Sequence, residues 1–394
     1  MSTTRYRSAL GVPGVRWLLA TSAVARLPVA MTGLAIVLRV TREMGSYSDA
    51  GAITAVYVMS GAAVGPRLGR LADRLGRSVV LVTTAVVNAV GVLILSQINP
   101  RDTPVMLVVS FVAGLSTPPV SACVRSLWPR LGIAGNHDHL YALDSTLQEV
   151  TFVVGPALVA LFGTLAGTAA PLVASAILGL SGTVLLAAHP ALKSEAGLGH
   201  RPRSRVMTPA LVVLVLTALL FVLGCSILQL GVVGFCIEHH APGESGLLLA
   251  MWSVGAIVGG FAVGARVNAA GQAGYVVTLI ATGSSFLLLL ASPGVPALYP
   301  LMFISGLALV PALGCLYSLA SKVAPAHHAT EAFGWIASAM GTGLAAGAAL
   351  GGYLVQRFGT SVTFAVAAGV VFAAAVAAIV WRGQLTAARV ESPR

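Results

Sequence analysis

With 394 residues, a mean hydropathy of +0.91 and only 9% charged side chains, the chain is too apolar for a water-soluble globular fold, which carries about 25% charge. Its formal net charge of +11 would fit a nucleic-acid partner in a soluble protein, but here the bases fall in alternate connections between apolar runs. Little chain remains between those runs to fold as an aqueous domain, so a soluble enzyme and a nucleic-acid-binding protein are both excluded.

A membrane crossing takes about 20 apolar residues at a rise of about 1.5 Å each, and twelve crossings use up nearly the whole length. The first predicted helix covers residues 17–40 and the second 49–68; Arg39, Arg42, Glu43 and Asp49 fall between them and are expected to face outward. The connection Gly69-Arg70-Leu71-Ala72-Asp73-Arg74-Leu75-Gly76-Arg77-Ser78 follows. Its two glycines are expected to turn the chain tightly, and Arg67, Arg70, Arg74 and Arg77 to hold it in the cytoplasm.

A third helix spans 79–98, and a fourth starts at Pro104 and carries Pro118-Pro119 in its middle. A proline pair at that depth leaves carbonyls unpaired, which is tolerated only against protein or a water-filled cavity, so this helix is expected to line a cavity. Helices at 140–162 and 170–188 complete a first bundle. After a polar linker, six more helices run at 209–235, 246–265, 274–292, 296–320, 331–355 and 360–381. The expected architecture is all-α and integral to the membrane: a six-helix bundle over 1–188, a cytoplasmic linker over 189–208 and a second six-helix bundle over 209–394. Arg5, Arg7 and Arg16 precede the first helix with no small-residue cleavage site after a short apolar core, so that helix is expected to be retained.

With both ends inside, eighteen Lys and Arg residues fall on the cytoplasmic side and only Arg39, Arg42, Arg101 and Arg357 on the other. That asymmetry sets the expected orientation: a multi-pass protein of a bacterial cell membrane with both termini cytoplasmic. Cys123, Cys225, Cys236 and Cys315 form no CxxC pair, and His239-His240 and His327-His328 lie on opposite sides without a third ligand. Neither a metal nor a cofactor is expected.

An ionisable group within the hydrocarbon region costs at least about 2.5 kcal/mol, which makes each one a functional candidate. Arg26 and Glu149 each stand nine residues beyond the predicted start of their helix, about 13 Å deep, and are expected to pair at the edge of a central cavity. The plainer alternative is a structural ion pair that locks the bundle. Asp144 lies about 140° around the axis from Glu149 and level with Arg125, with which it is expected to pair. Gln148 stands one turn beyond Asp144. Gln229, Tyr317, Trp252 and Trp335 are the candidates to line the cavity from the second bundle, and no catalytic set appears. Glycines 341, 343, 347, 351 and 352 give the eleventh helix a small-residue face suited to close packing.

The connection 69–78 resembles, nearly position for position, the loop between helices 2 and 3 of the major facilitator superfamily of secondary transporters: Gly-x-Leu-Ala-Asp-Arg-x-Gly-Arg and then a base, here replaced by Ser78. A short echo, Gly61-Ala62-x-Val64-Gly65 against Gly255-Ala256-x-Val258-Gly259, resembles the family's parallel six-helix repeat. In the second half the loop 265–271 lacks the aspartate. The resemblance implies a monomeric carrier, surrounded by lipid, that moves a small organic solute by alternating access. Export of a drug or metabolite, with protons as a coupling ion, is favoured over uptake of a sugar.

It further implies a conformational gate in which Gly69, Asp73, Arg74, Gly76 and Arg77 meet the start of helix 11, near residues 330–333. Gly155-Pro156 resembles the Gly-Pro of an exporter motif on helix 5 without its surrounding glycines. Ser110 stands where drug–proton antiporters carry an arginine, which leaves Glu149 as the candidate proton carrier.

Overall fold

A computed structural model describes residues 14–131, 137–193, 206–264 and 271–381. The predicted roles of Arg5, Arg7, Arg201, Arg203, Arg205, Arg266, Arg382, Arg389 and Arg394, and of most of the linker, lie outside the described residues. Among the described residues there is no strand. The membrane-length helices are α1 (Val15–Met44), α2 (Tyr47–Leu75), α3 (Arg77–Gln97), α4 (Thr103–Leu131), α5 (His137–Leu165) and α6 (Ala170–Ala187). The second set is α7 (Pro209–Glu238), α8 (Ser245–Gly259), α9 (Gln272–Leu288), α10 (Val295–Val323), α11 (329–358) and α12 (360–380).

Ten apolar stretches are each long enough to cross a membrane. One of them, Ala329–Val380, has 52 residues, about 78 Å of helix against a hydrocarbon core of about 30 Å. It breaks at Gly359, where φ 80° and ψ 176° suit glycine alone, and so supplies both α11 and α12. The twelfth is α2, glycine-rich and less apolar than the rest. Within the first half α1 packs on α5 and α6, and α3 on α4 and α6; within the second α7 packs along α11 and α12, and α8 on α10. Of the glycines on α11, 343, 347 and 351 press on α7, where an added Cβ at Gly347 would meet the Leu223 carbonyl oxygen at 2.6 Å, while Gly341 faces Ala62 of α2.

Two expectations need correcting. The first connection is far shorter than the charges implied: α1 continues to Met44, so Arg39, Arg42 and Glu43 are helical. Arg39 is buried, and its two terminal nitrogens donate to the carbonyls of Leu95 and Ile98 at 2.7 and 2.9 Å. A guanidinium closes the open carbonyls at the end of α3, the position where a helix dipole favours a cation. The motif connection is also not a loop between two glycines. α2 is helical through Leu75, and only Gly76, at φ 99°, turns the chain into α3.

α4 is interrupted as the proline pair predicts. Regular bonding stops at Ser116 and helix resumes at Val120. At the break Asn88 of α3 donates to the Ala113 carbonyl at 2.7 Å, so protein supplies part of the polar bonding there.

Candidate functional site

The two halves meet at the end of the molecule where α2 turns into α3, here called the motif end. The backbone N–H of Glu331, in the first turn of α11, donates to Asp73 Oδ2 at 3.0 Å. Arg77 Nε donates to the Thr330 hydroxyl at 3.1 Å and lies 3.8 Å from Asp73, and Thr330 in turn donates to Ser126 of α4 at 3.2 Å. An acid belongs at a helix start, where free N–H groups and the helix dipole both favour it. Burial pushes the Asp73 carboxyl above its ordinary range, and the bonds from Thr330 and Glu331 pull it back.

Arg70 binds Glu331 through Nη2 at 2.6 Å and Nε at 3.0 Å, which raises its affinity for its proton. Gly69 makes the approach possible: a Cβ there would stand 2.6 Å from the Thr330 carbonyl oxygen and 2.8 Å from the Glu331 Cα. Arg74 is exposed, and Ser78, in place of the motif's base, donates to the Ala187 carbonyl at the end of α6 at 2.8 Å.

The magnitudes make this a reversible tie. The Arg70 side chain is 52% exposed, and an exposed ion pair contributes about 0–1 kcal/mol. A charge-assisted bond such as that to Asp73 contributes about 1.5–3 kcal/mol. A junction worth a few kcal/mol can hold one conformation and still be released.

Deeper in the bundle lies a buried ionic cluster. Asp144 of α5 is fully buried and its two oxygens are divided between two arginines: Arg26 Nη2 of α1 donates to Oδ1 and Arg125 Nε of α4 to Oδ2, each at 2.7 Å. Arg125 also donates to Gln148, and its guanidinium lies 3.6 Å from the centroid of the Tyr317 ring, which comes from α10 in the other half. A desolvated cation–π contact of this kind contributes about 2 kcal/mol. Below it, Tyr141 donates to the Arg125 carbonyl at 3.0 Å, and the rings of Tyr141 and Tyr317 both approach Phe333 of α11, at 6.2 and 6.4 Å. This aromatic layer separates the cluster from the tie at the motif end.

The expected Arg26–Glu149 pair is therefore replaced by Arg26–Asp144. Depth alone does not separate the two acids: Arg26 lies eleven residues beyond Val15, and Glu149 twelve and Asp144 seven beyond His137. Angle decides, because Glu149, about 140° around α5 from Asp144, cannot share its face. Glu149 is buried, without a hydrogen bond or ion pair among the described residues, and near enough to Cys225 of α7 and to Tyr317 to act on both electrostatically.

Of the sequence candidates, Arg26, Asp144 and Tyr317 come together, with Arg125 and Gln148 completing the set. The Asp144–Arg125 pair is present as expected. Trp252 is buried, and Gln229 and Trp335 half-buried, and no hydrogen bond joins them to the cluster. Thr330 and Glu331 fall within the segment 330–333 that the motif resemblance implies, and what the structure adds is the pairing of Arg70 with Glu331. Among the described residues no group of His, Cys, Asp and Glu could hold a metal.

Two helical bundles meet through breakable polar contacts, and one of them buries a charged cluster that faces the other. The family model described as Major Facilitator Superfamily matches residues 18–329 and again 214–393, and the chain belongs to that family. It is a transporter, not an enzyme. An uncharacterized MFS-type transporter of Sinorhizobium fredii, y4rN, is 29% identical over 158 residues; that alignment takes in 39% of this chain and 38% of the relative.

Among solved structures, a bacterial homologue of the iron transporter ferroportin in an outward-facing state superposes with a TM-score of 0.78 at 14% identity, over 94% of this chain and 99% of that one. The human organic anion transporter MFSD10 superposes at 0.73 and 16%, over 93% and 100%. At these identities the likeness is one of fold.

Proposed function

We propose that this transporter exports a small organic solute by alternating access, with the motif end facing the cytoplasm and closed in the conformation described. The reading rests on where the halves are joined. Hydrogen bonds and an ion pair join residues 62–77, at the end of α2 and the start of α3, and Ser126 of α4 to α11, while residues 48–61 of α2 make no hydrogen bond or ion pair to the second half among the described residues. Close packing of α5 on the turn that follows α8, where Gly260 meets Thr146, adds to the same seal. Release of the Asp73 and Arg70 contacts lets the bundles, 1–188 and 209–394, rock about the linker 189–208 and open the opposite way. Sparse intramembrane charge and largely apolar walls favour an amphipathic drug or metabolite as cargo over a sugar.

The protein works as a monomer in the bacterial cell membrane, both termini cytoplasmic. Glu149 is the proton carrier in this reading, because it is a buried acid with no paired cation among the described residues to hold it ionised. Solute counterflow in liposomes tests the carrier: exchange stimulated by solute on the far side is expected, and a rate indifferent to it would mean a channel. Glu149→Gln is expected to abolish acceleration by an imposed pH gradient while leaving counterflow intact. Full gradient-driven transport by that variant would remove the proton role. Expression in cells is expected to lower accumulation of the solute; raised accumulation would assign uptake instead.

A further inference from the structure

The buried cluster is not electrically closed. Two guanidiniums, Arg26 and Arg125, share one carboxylate, Asp144, whose two oxygens are both in use. Arg26 is 3% exposed, and two of its three nitrogens, Nε and Nη1, have no hydrogen-bond partner among the described residues. Glu149 forms no ion pair with either arginine among the described residues, and it lies about 140° around α5 from Asp144. One positive charge is left unmatched within the bilayer, the arrangement that low dielectric penalises most.

The second unexplained feature is the lid. Tyr317 from the opposite half lies flat over Arg125, and a guanidinium face takes an aromatic ring by stacking and cation–π attraction. Because Tyr317 and Phe333 both belong to the second half, they move off the cluster when the motif end opens. Opening would therefore uncover a guanidinium face that favours a flat ring, beside a guanidinium with free donors and a net charge of one.

We infer that the solute is an aromatic monocarboxylate, whose carboxylate binds the free donors of Arg26 and whose ring stacks on Arg125 in the place Tyr317 occupies when the motif end is closed. A monoanion neutralises the cluster, whereas a dianion such as a phosphate ester would over-compensate it and a cation would add to the excess. The return of Tyr317 on closure displaces the ring, so the lid couples closing to release. This inference rests on the alternating-access reading above and specifies its cargo.

The experiment uses the purified full-length protein and three probes of matched shape: benzoate, benzylammonium and benzyl alcohol. Benzoate is expected to raise the melting temperature saturably and the other two to leave it unchanged. Arg26→Gln, which leaves one arginine on one carboxylate and so a balanced pair, is expected to weaken the benzoate response at least about tenfold. Tyr317→Leu, which removes the competing ring, is expected to strengthen it.

Stabilisation by benzylammonium, an undiminished benzoate response in Arg26→Gln, or no response to benzoate in the native protein would each overturn the inference. A Ser338→Cys probe, in a background with the four native cysteines replaced by alanine, reports separately on opening because Ser338 bonds Ala62 across the halves. Maleimide labelling without a benzoate response defeats the cargo alone. Neither labelling nor response defeats the alternating-access reading as well.

Discussion

The two halves of this transporter share an architecture but not a chemistry. The first half holds the charge buried in the bilayer, Arg26, Arg125, Asp144 and Glu149, while the second offers the cluster an aromatic ring, Tyr317, and the polar start of one helix, Thr330 and Glu331. An ionic network that must stay intact cannot also be split between bundles that separate on each cycle. The buried ion pairs thus lie within one half, and the contacts that cross between halves include a ring face, the Glu331 N–H, hydroxyl bonds at Thr330 and Ser338, and one half-exposed ion pair. What holds the protein together and what lets it move are assigned to different bonds.

That division can be broken experimentally. The largest effect is expected from Asp144→Ala, which strands two buried arginines; removing one partner of a buried pair costs about 3–5 kcal/mol, so the variant should melt far below the native protein. A native melting curve would mean that the network does not hold the first half together. Next is Gly69→Val, whose branched side chain cannot fit against the backbone of residues 330 and 331. Melting should change little while labelling of a cysteine at position 338 rises severalfold, and unchanged labelling would show that the motif end does not open there. The smallest effect belongs to Asp73→Asn, which keeps an oxygen to accept the Glu331 N–H and loses only its charge. Its labelling should lie between native and Gly69→Val, and a value beyond the latter would make charge, not fit, the main restraint.

The helix count and the meeting of Asp73 with the start of α11 could be read from the sequence, the first because apolar length is a local pattern and the second because the connection 69–78 resembles a family motif that implies it. The partner of Arg26 could not. Two acids on α5 were available, and rise per residue distinguishes depth but not azimuth, so the choice of Asp144 emerges only when α1, α4 and α5 are packed together. Arg39 departs from its expected loop position for a related reason. The positive-inside rule treats an arginine near a helix end as a loop charge, but here carbonyls at the end of α3 supply acceptors that no periodicity announces. The roles of Gln229, Trp252 and Trp335 rest on their positions in the second half and remain proposals to be tested by substitution.

The interruption of α4 at its proline pair has a mechanical consequence. Regular helical bonding lapses between Ser116 and Val120, so the short piece that carries Arg125 is an articulated arm and not an extension of a stiff rod. Such an arm can tilt by a few degrees to follow a departing ring or an arriving ligand without dragging the rest of the helix through the lipid, which lets a small local adjustment precede the rocking of whole bundles.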